Sequence, residues 1–405
     1  MLPIAFVGLG YLCIFPQKMK LSKTLFHTGE ERERYYNAIA PPVMTSSNYA
    51  FPTVAAFREA LISPMDTHVY TRGNNPTVEI LRRKMAELCG TEEALAFATG
   101  SGALAAAILS CVNTGDHIIS VQKPYAFTQV ILDGFLQRFG VERTYVDARG
   151  VDEIEKVIQP NTKLLFLESP NSMTFELQDL KACSELARDH GIMTCIDNSC
   201  ATPIFQRAAD FGIDLVVHAG TKYLNGHSDA TCGIVCGSRK HLEKLYSHEF
   251  MALGGILSPQ DAALVIRGLR TLELRMQRSD ASARKLAQQL EQHPRVRQVL
   301  FPFLPSFPQY ELARKQMKGA GGLFSIVLDT EEIREVDAFA DRLERFSMAV
   351  SWGGHESLVL PNALFHQVPG RTDSPLPFQL VRFYIGLEDP EWLWEDIEDS
   401  LEKMG

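Results

Sequence analysis

Two residues at the ends of successive apolar runs are of types that together perform organic chemistry: Asp197 in Cys195-Ile196-Asp197-Asn198, and Lys222 in Gly220-Thr221-Lys222-Tyr223. A lysine amine can hold an aldehyde cofactor covalently. A buried aspartate can keep a pyridine nitrogen protonated, so that the ring accepts electrons from a carbanion. The pair points to a pyridoxal phosphate site acting on an amino acid. Taken singly, each residue has an ordinary reading: a solvated surface lysine, or a capping aspartate. A third signal is the turn Thr99-Gly100-Ser101-Gly102, which opens a small-residue helix through Ala103 to Ala107. Such a turn presents free backbone N–H groups to a phosphate, although a short glycine pattern alone is weak.

These signals need a scaffold that brings them to one place. Between roughly 90 and 260, short β-rich runs alternate with amphipathic stretches at the spacing of βαβ units, the pattern of a mostly parallel sheet. Candidate strands are 117–121, 164–168, 193–197, 214–218 and 233–236, apolar enough to be buried on both faces. Asp197, Lys222, Glu168 and the Thr99 turn then all fall at carboxyl ends of strands, where ligands collect in open α/β sheets. Asn75-Pro76 predicts a helix start, with Val78, Leu81, Met85 and Leu88 on one side and Gly90 as the stop. A second helix runs through Leu180, Cys183 and Leu186 to Gly191.

At 405 residues the chain exceeds the size of a single growing core, and its texture changes after Ser258-Pro259 to charged helices predicted over 261–278 and 280–293. Strand-like 322–328 and 381–385 follow, then a final helix opened by Asp389-Pro390 with Leu393, Ile397 and Leu401 inward. The expected organisation is an arm over 1–64, a large cofactor domain over 65–259 and a C-terminal domain over 260–405. Residues 1–15 are apolar but lack a basic start, lack a cleavage-site pattern, and are too short to span a bilayer. Because Met19 opens Met19-Lys20-Leu21, residues 1–18 read as a start-site extension.

The net charge of −9 comes from 40 basic and 49 acidic residues, with the basic ones scattered, which argues against a nucleic-acid partner. The eight cysteines show neither CxxC pairs nor zinc spacing, and most lie in apolar runs, so reduced thiols in a cytoplasmic protein without disulfides or metal are expected. His227 lacks a companion at ligand spacing and reads as a structural loop histidine.

The motifs Tyr70-Thr71-Arg72-Gly73-Asn74-Asn75-Pro76-Thr77, Asp197-Asn198, Thr221 to Asp229 and Gly268-Leu269-Arg270-Thr271-Leu272 resemble, in order and from about Thr24 onward, the Cys/Met-metabolism family of pyridoxal-phosphate enzymes. This is the trans-sulfuration family of cystathionine γ-synthase, cystathionine β-lyase, cystathionine γ-lyase and methionine γ-lyase. The resemblance implies a type I aminotransferase-like α/β fold: a mostly parallel seven-stranded sheet in a large domain, plus a smaller α+β C-terminal domain. It implies Lys222 as the Schiff-base lysine, Asp197 at the pyridine nitrogen and Tyr125 stacked on the ring, with Tyr125 also catalytic. Gly100, Ser101 and Thr221 would bind the phosphate, joined by Tyr70 and Arg72 from a neighbouring subunit. Arg382 would clamp the substrate carboxylate, with Ser351 and Tyr49 lining the pocket. A homotetramer with active sites shared across a dimer interface follows, with no membrane partner.

Three departures stand out. Ala219 occupies the usual serine position two before Thr221. Glu168-Ser169-Pro170-Asn171-Ser172-Met173 replaces Glu-Thr-Pro-x-Asn-Pro, so the cofactor-facing asparagine is either displaced to Asn171 or replaced by Ser172. Tyr125-Ala126-Phe127 replaces Tyr-Gly-Gly. Val350-Ser351-Trp352-Gly353-Gly354 and Ile385-Gly386-Leu387-Glu388-Asp389 resemble the β-lyase version, whereas Ser47-Asn48-Tyr49 and Asn74 to Thr77 look more like the γ-synthase branch. The expectation is β-elimination of a cystathionine-like thioether to a thiol, pyruvate and ammonia, with γ-elimination or γ-replacement as the alternative. A non-catalytic binding protein on this fold has no need of the full residue set. A nucleotide-binding oxidoreductase would need GxGxxG after the first strand.

Overall fold

The computed structural model describes residues 14–369 and 373–404, so residues 1–13 of the expected start-site extension lie outside the described residues. Seven strands form the first sheet: β1 (Glu93–Phe97), β2 (His117–Val121), β3 (Glu142–Val146), β4 (Thr162–Glu168), β5 (Met193–Asp197), β6 (Leu215–Ala219) and β7 (Gly233–Gly237). Their spatial order is β1-β7-β6-β5-β4-β2-β3. Strands β2 to β6 pair in parallel, while β7 runs antiparallel to both of its neighbours. All five strands expected in this sheet are present. β1 and β3 were not expected, for identifiable reasons. β1 is rich in alanine, a poor strand former, and β3 is an edge strand carrying Glu142 and Arg143 in place of an apolar run.

The second sheet contains β8 (Val296–Leu300), β9 (Leu323–Leu328), β10 (Ser347–Met348), β11 (Leu358–Pro361) and β12 (Leu380–Tyr384), in the order β10-β11-β12-β9-β8. It covers its own apolar core together with the helix Pro390–Glu402. Asp389 caps that helix by accepting from the N–H groups of Glu391 (2.9 Å) and Trp392 (3.2 Å). Leu393, Ile397 and Leu401 are fully buried along its inner side. Each contributes about 2 kcal/mol relative to an exposed position.

The helix Pro76–Cys89 starts and stops as expected: Asn75 accepts from Thr77 N–H at 2.9 Å, and Gly90 takes φ 73°. The two charged helices are divided differently. They are Pro259–Leu269 and Leu272–Leu290, with the break at Arg270-Thr271 rather than near 279. Tertiary contact decides the point. Gly268 lies so close to the preceding loop that a Cβ there would be 2.1 Å from the Asn225 carbonyl oxygen. Its own carbonyl accepts from Arg275 Nη2 at 2.7 Å. Arg275 also donates through Nη1 to the Tyr223 carbonyl at 2.8 Å, which ties this helix pair to the lysine-bearing turn.

A buried ion pair fastens the first described helix, Ile14–Phe26, to the rest. Lys84 is wholly buried; its Nζ donates to the carbonyls of Thr24 (3.2 Å) and Leu25 (3.0 Å) and meets Glu30 at 3.1 Å. Burial lowers the Lys84 pKa and Glu30 pulls it back up. Removing Lys84 leaves Glu30 with Arg270, 3.2 Å away, and takes the lysine donor from the Thr24 and Leu25 carbonyls in a buried site. Lys84→Met should therefore cost about 3 kcal/mol, seen as a fall in melting temperature of several degrees and early tryptic cleavage at Lys20 or Lys23. An unchanged melting temperature would refute the pinning role.

Candidate active site

The carboxyl edge of the first sheet gathers the chemistry. Glu168 pairs in register with Asp197, and Asp197 with Val217, so the two carboxyl groups leave the same face of neighbouring parallel strands. Asp197 is 8% exposed. Its Oδ1 accepts from the N–H (2.9 Å) and hydroxyl (2.5 Å) of Ser199, while among the described residues Oδ2 has no hydrogen-bond partner. The Ser199 oxygen in turn accepts from Ala219 N–H at 2.7 Å, joining the end of β5 to the end of β6. Ser199 was not singled out from sequence, although the Asp-x-Ser spacing is the signal for such a local turn. Burial pushes both carboxyl groups upward. Glu168 reaches about 8, with Asp197 as its second cause, while the Ser199 donors and the positive side chains of His218 and Lys222 draw Asp197 back toward ionisation.

Lys222 follows β6 in a turn closed by its own N–H donating to the Ala219 carbonyl at 3.0 Å. Its Nζ donates to Ser351 Oγ at 2.5 Å and stands 5.2 Å from the centre of the Trp352 ring. Burial first, and the Arg382 charge second, bring this amine down to about 8. Ser351 has φ +79°, a region that costs a non-glycine residue about 1 kcal/mol. That conformation turns its hydroxyl to Lys222 and its carbonyl to Arg382 Nη2, 3.0 Å away. Two residues on, Gly353 (φ +91°) lies against the lysine main chain. A Cβ there would be 2.6 Å from Tyr223 N and 2.8 Å from the Lys222 carbonyl carbon.

Arg382, in β12, is 6% exposed. Its Nη1 donates to the Ser172 carbonyl at 3.3 Å and touches the Met173 sulfur at 3.6 Å. Among the described residues no carboxylate pairs with it, and burial lowers its pKa to about 10. A buried guanidinium fork facing only carbonyls is suited to an incoming carboxylate. Asn171 is held locally through its amide oxygen and one amide hydrogen. It donates to the Lys123 carbonyl (2.6 Å) and accepts from the N–H groups of Met173 (2.9 Å) and Thr174 (3.1 Å).

Thr99 caps the helix Gly100–Leu109 by accepting from Gly102 N–H at 3.0 Å, which leaves the N–H groups of Gly100 and Ser101 without acceptors among the described residues. The turn rests directly on the strand ends. A Cβ on Gly100 would be 2.9 Å from Ala219 Cβ, so a methyl group lines the turn at the family's serine position. The Thr221 hydroxyl is turned back to the Cys232 main chain, accepting from its N–H at 3.0 Å and donating to its carbonyl at 3.3 Å. Tyr125 opens the short helix Ala126–Val130, with its ring partly exposed and its hydroxyl pKa raised by burial.

The free Oδ2 of Asp197, the open N–H groups at Gly100 and Ser101 and the unprotonated fraction of Lys222 together fit pyridoxal phosphate, with Arg382 left for a substrate. Three expected residues are not brought to this cluster within one chain. Tyr49 bonds Asn75 Nδ2 at 3.2 Å. Tyr70 lies exposed beneath the Arg72 guanidinium, 5.2 Å from its ring centre, and neither Tyr70 nor Arg72 bonds Asp197, Lys222 or Arg382.

Comparison with known proteins gives one consistent result. The family described as Cys/Met metabolism PLP-dependent enzyme matches residues 22–402. An L-methionine gamma-lyase from Pseudomonas deceptionensis is 38% identical over 389 residues, covering 95% of this chain and 97% of that protein. A cystathionine gamma-lyase from Bacillus subtilis is 35% identical, covering 95% and 100%. The crystal structure of metB from Corynebacterium glutamicum superposes with a TM-score of 0.89 at 33% identity, covering 95% of this chain and 98% of that one.

The depressed amine makes a prediction that needs no substrate. Only the neutral amine attacks an aldehyde, and Lys222 loses its proton as pH rises through about 8 rather than through the usual value of about 10.4. Capture of pyridoxal phosphate by the apoprotein, followed by the visible band, should accelerate with pH with a midpoint near 8. A midpoint about two units higher, or a borohydride-fixed band surviving in Lys222→Ala, would overturn the assignment.

Proposed function

Because the chain belongs to the Cys/Met-metabolism family of PLP-dependent enzymes, as a lyase of the trans-sulfuration kind, we propose that it removes a sulfur leaving group from Cγ of an L-amino acid such as methionine or cystathionine. One water is consumed and a thiol, 2-oxobutyrate and ammonia are released. The relatives carry this choice: the curated proteins reported above are γ-lyases over nearly their whole lengths. The β-elimination expected from sequence rested on Ser351-Trp352-Gly353. In the fold Trp352 is 6% exposed and lies against Tyr223, with ring centres 5.3 Å apart, where it braces Lys222. Tryptophan at that position therefore speaks to the lysine and not to the length of the substrate.

When bound, pyridoxal phosphate supplies an electron-accepting ring that stabilises negative charge at Cα. Asp197 would hold the ring nitrogen's proton through Oδ2, and the N–H groups of Gly100 and Ser101 would face the phosphate, which the Thr221 hydroxyl would join on turning from Cys232. Arg382 orients the substrate by offering its remaining N–H donors to the carboxylate, while the Ser172 carbonyl holds Nη1. Lys222, kept in place by Ser351, takes the proton from Cα, hands it on to the cofactor side of the site and, neutral again, takes one from Cβ. Tyr125, whose hydroxyl stays protonated, donates to the departing sulfur. Supplying L-methionine or L-cystathionine should yield 2-oxobutyrate as the main oxo acid. Pyruvate as the main product from cystathionine would restore the β reading.

The oligomer proposed is a homotetramer in the cytoplasm, with Tyr49, Tyr70 and Arg72 completing a neighbour's site. Its support is the uncovered apolar face of the arm, including Tyr36, Ile39, Val54 and Ile62, beside an exposed Tyr70. The seven described cysteines are free thiols, which suits a reducing compartment. Mixing unfolded Arg72→Ala and Lys222→Ala chains and refolding them together should regain activity that neither has alone. No recovery from mixed oligomers would exclude shared sites.

A further inference from the structure

We infer that Glu168 is a positioning residue that ties Tyr125 to Arg382, so that one buried carboxyl group sets both the ring-facing tyrosine and the carboxylate-binding fork. The inference rests on the roles proposed above for those two residues. Glu168 ends β4 at 3% exposure. Its Oε2 accepts from Tyr125 N–H at 2.6 Å and its Oε1 from Ser172 N–H at 3.2 Å. The Ser172 carbonyl then accepts from Arg382 Nη1 at 3.3 Å. Three hydrogen bonds thus run without a gap from Tyr125 to the arginine, through a residue that has no cationic partner among the described residues.

That last point argues for a positional task. A buried carboxyl without a salt bridge is costly unless its acceptor capacity is used. Here both oxygens are used on backbone donors, and both donors belong to the loops that carry functional groups. Glutamine has the same size but one acceptor oxygen, and its NH2 cannot accept from an N–H. Glu168→Gln therefore strands one of the two loop donors while filling the same volume. The departure of this chain from its family pattern lies at the same place, since Ser172 stands at the position expected to hold asparagine.

The test uses the holoenzyme and glycine, an amino acid with no leaving group, titrated through the change it makes in the cofactor band. Glu168→Gln should still bind the cofactor and should alter its visible circular dichroism. It should weaken glycine by about tenfold, the upper scale of one ordinary intramolecular hydrogen bond. In an Arg382→Ala background the same substitution should change glycine affinity by less than about twofold, because its route is already cut. A tenfold effect that persists without Arg382, or an unchanged dichroism and affinity in the single variant, overturns the proposal. Should Glu168→Gln not accumulate, hydrogen exchange on the wild-type holoenzyme decides. Glycine should slow the peptides containing Tyr125 and Ser172 together, and protection of the Ser172 peptide alone counts against the link. Binding is read here rather than products, so failure of the γ-elimination reading would leave this result standing, and the reverse.

Discussion

The site depends on the close approach of Gly353 to the main chain of Lys222 and Tyr223. Only a residue without a Cβ, in a backbone conformation that L side chains avoid, brings the 351–354 loop to within contact of that peptide. The approach delivers the Ser351 hydroxyl to the lysine amine and the Ser351 carbonyl to Arg382. From the other side Arg275 holds the Tyr223 carbonyl. The lysine turn is therefore gripped between a loop adjoining the second sheet and a long helix, and its position is set by residues up to about 130 positions away in sequence.

Electrostatics follows from that grip. Lys222 and Arg382 are two cations in one dry space, and neither has a carboxylate paired with it at hydrogen-bond distance. Each is less easily protonated than in water, and Arg382 is the second cause of the lysine's depressed pKa after burial. A carboxylate arriving at Arg382 offsets that positive field. On the proposed roles it would make Lys222 a stronger base at the moment a substrate is in place, so that one placement of two charges would serve both recognition and proton transfer.

Much of this was legible from residues alone. Apolar runs ending in Asp197 and preceding Lys222 mark strands, and the right-handed parallel arrangement places their carboxyl ends on one edge, so the pair and the Thr99 turn converge as expected. What escaped was decided by tertiary contact. The helix break at Thr271 is made by Gly268 against the Asn225 carbonyl, with no local signal in a sequence that reads as continuous helix. The strand β1 is alanine-rich and takes its conformation from pairing with β7. Ser199 is passed over despite its Asp-x-Ser spacing, and Glu168 is placed at a strand end without its partners, because both work on backbone groups that other elements supply.

The relatives favour γ over the β chemistry expected from sequence, and the residues behind that expectation show why the sequence was a poor guide to it. Tryptophan after the pocket serine was treated as part of the substrate-facing wall, yet its ring is turned inward against Tyr223 and the Lys222 amine. The two reactions share every group that binds the carboxylate, accepts the Cα proton and drains its charge, and differ in where the sulfur lies one carbon further out. Residues able to sense that extra carbon must stand beyond the lysine, and the expected one there, Tyr49, is bonded to Asn75 and not to the cluster inside a single chain. On the proposed assembly, specificity would be a property of how one subunit's arm meets another's pocket. A motif centred on the shared machinery of one chain has no means of reporting it.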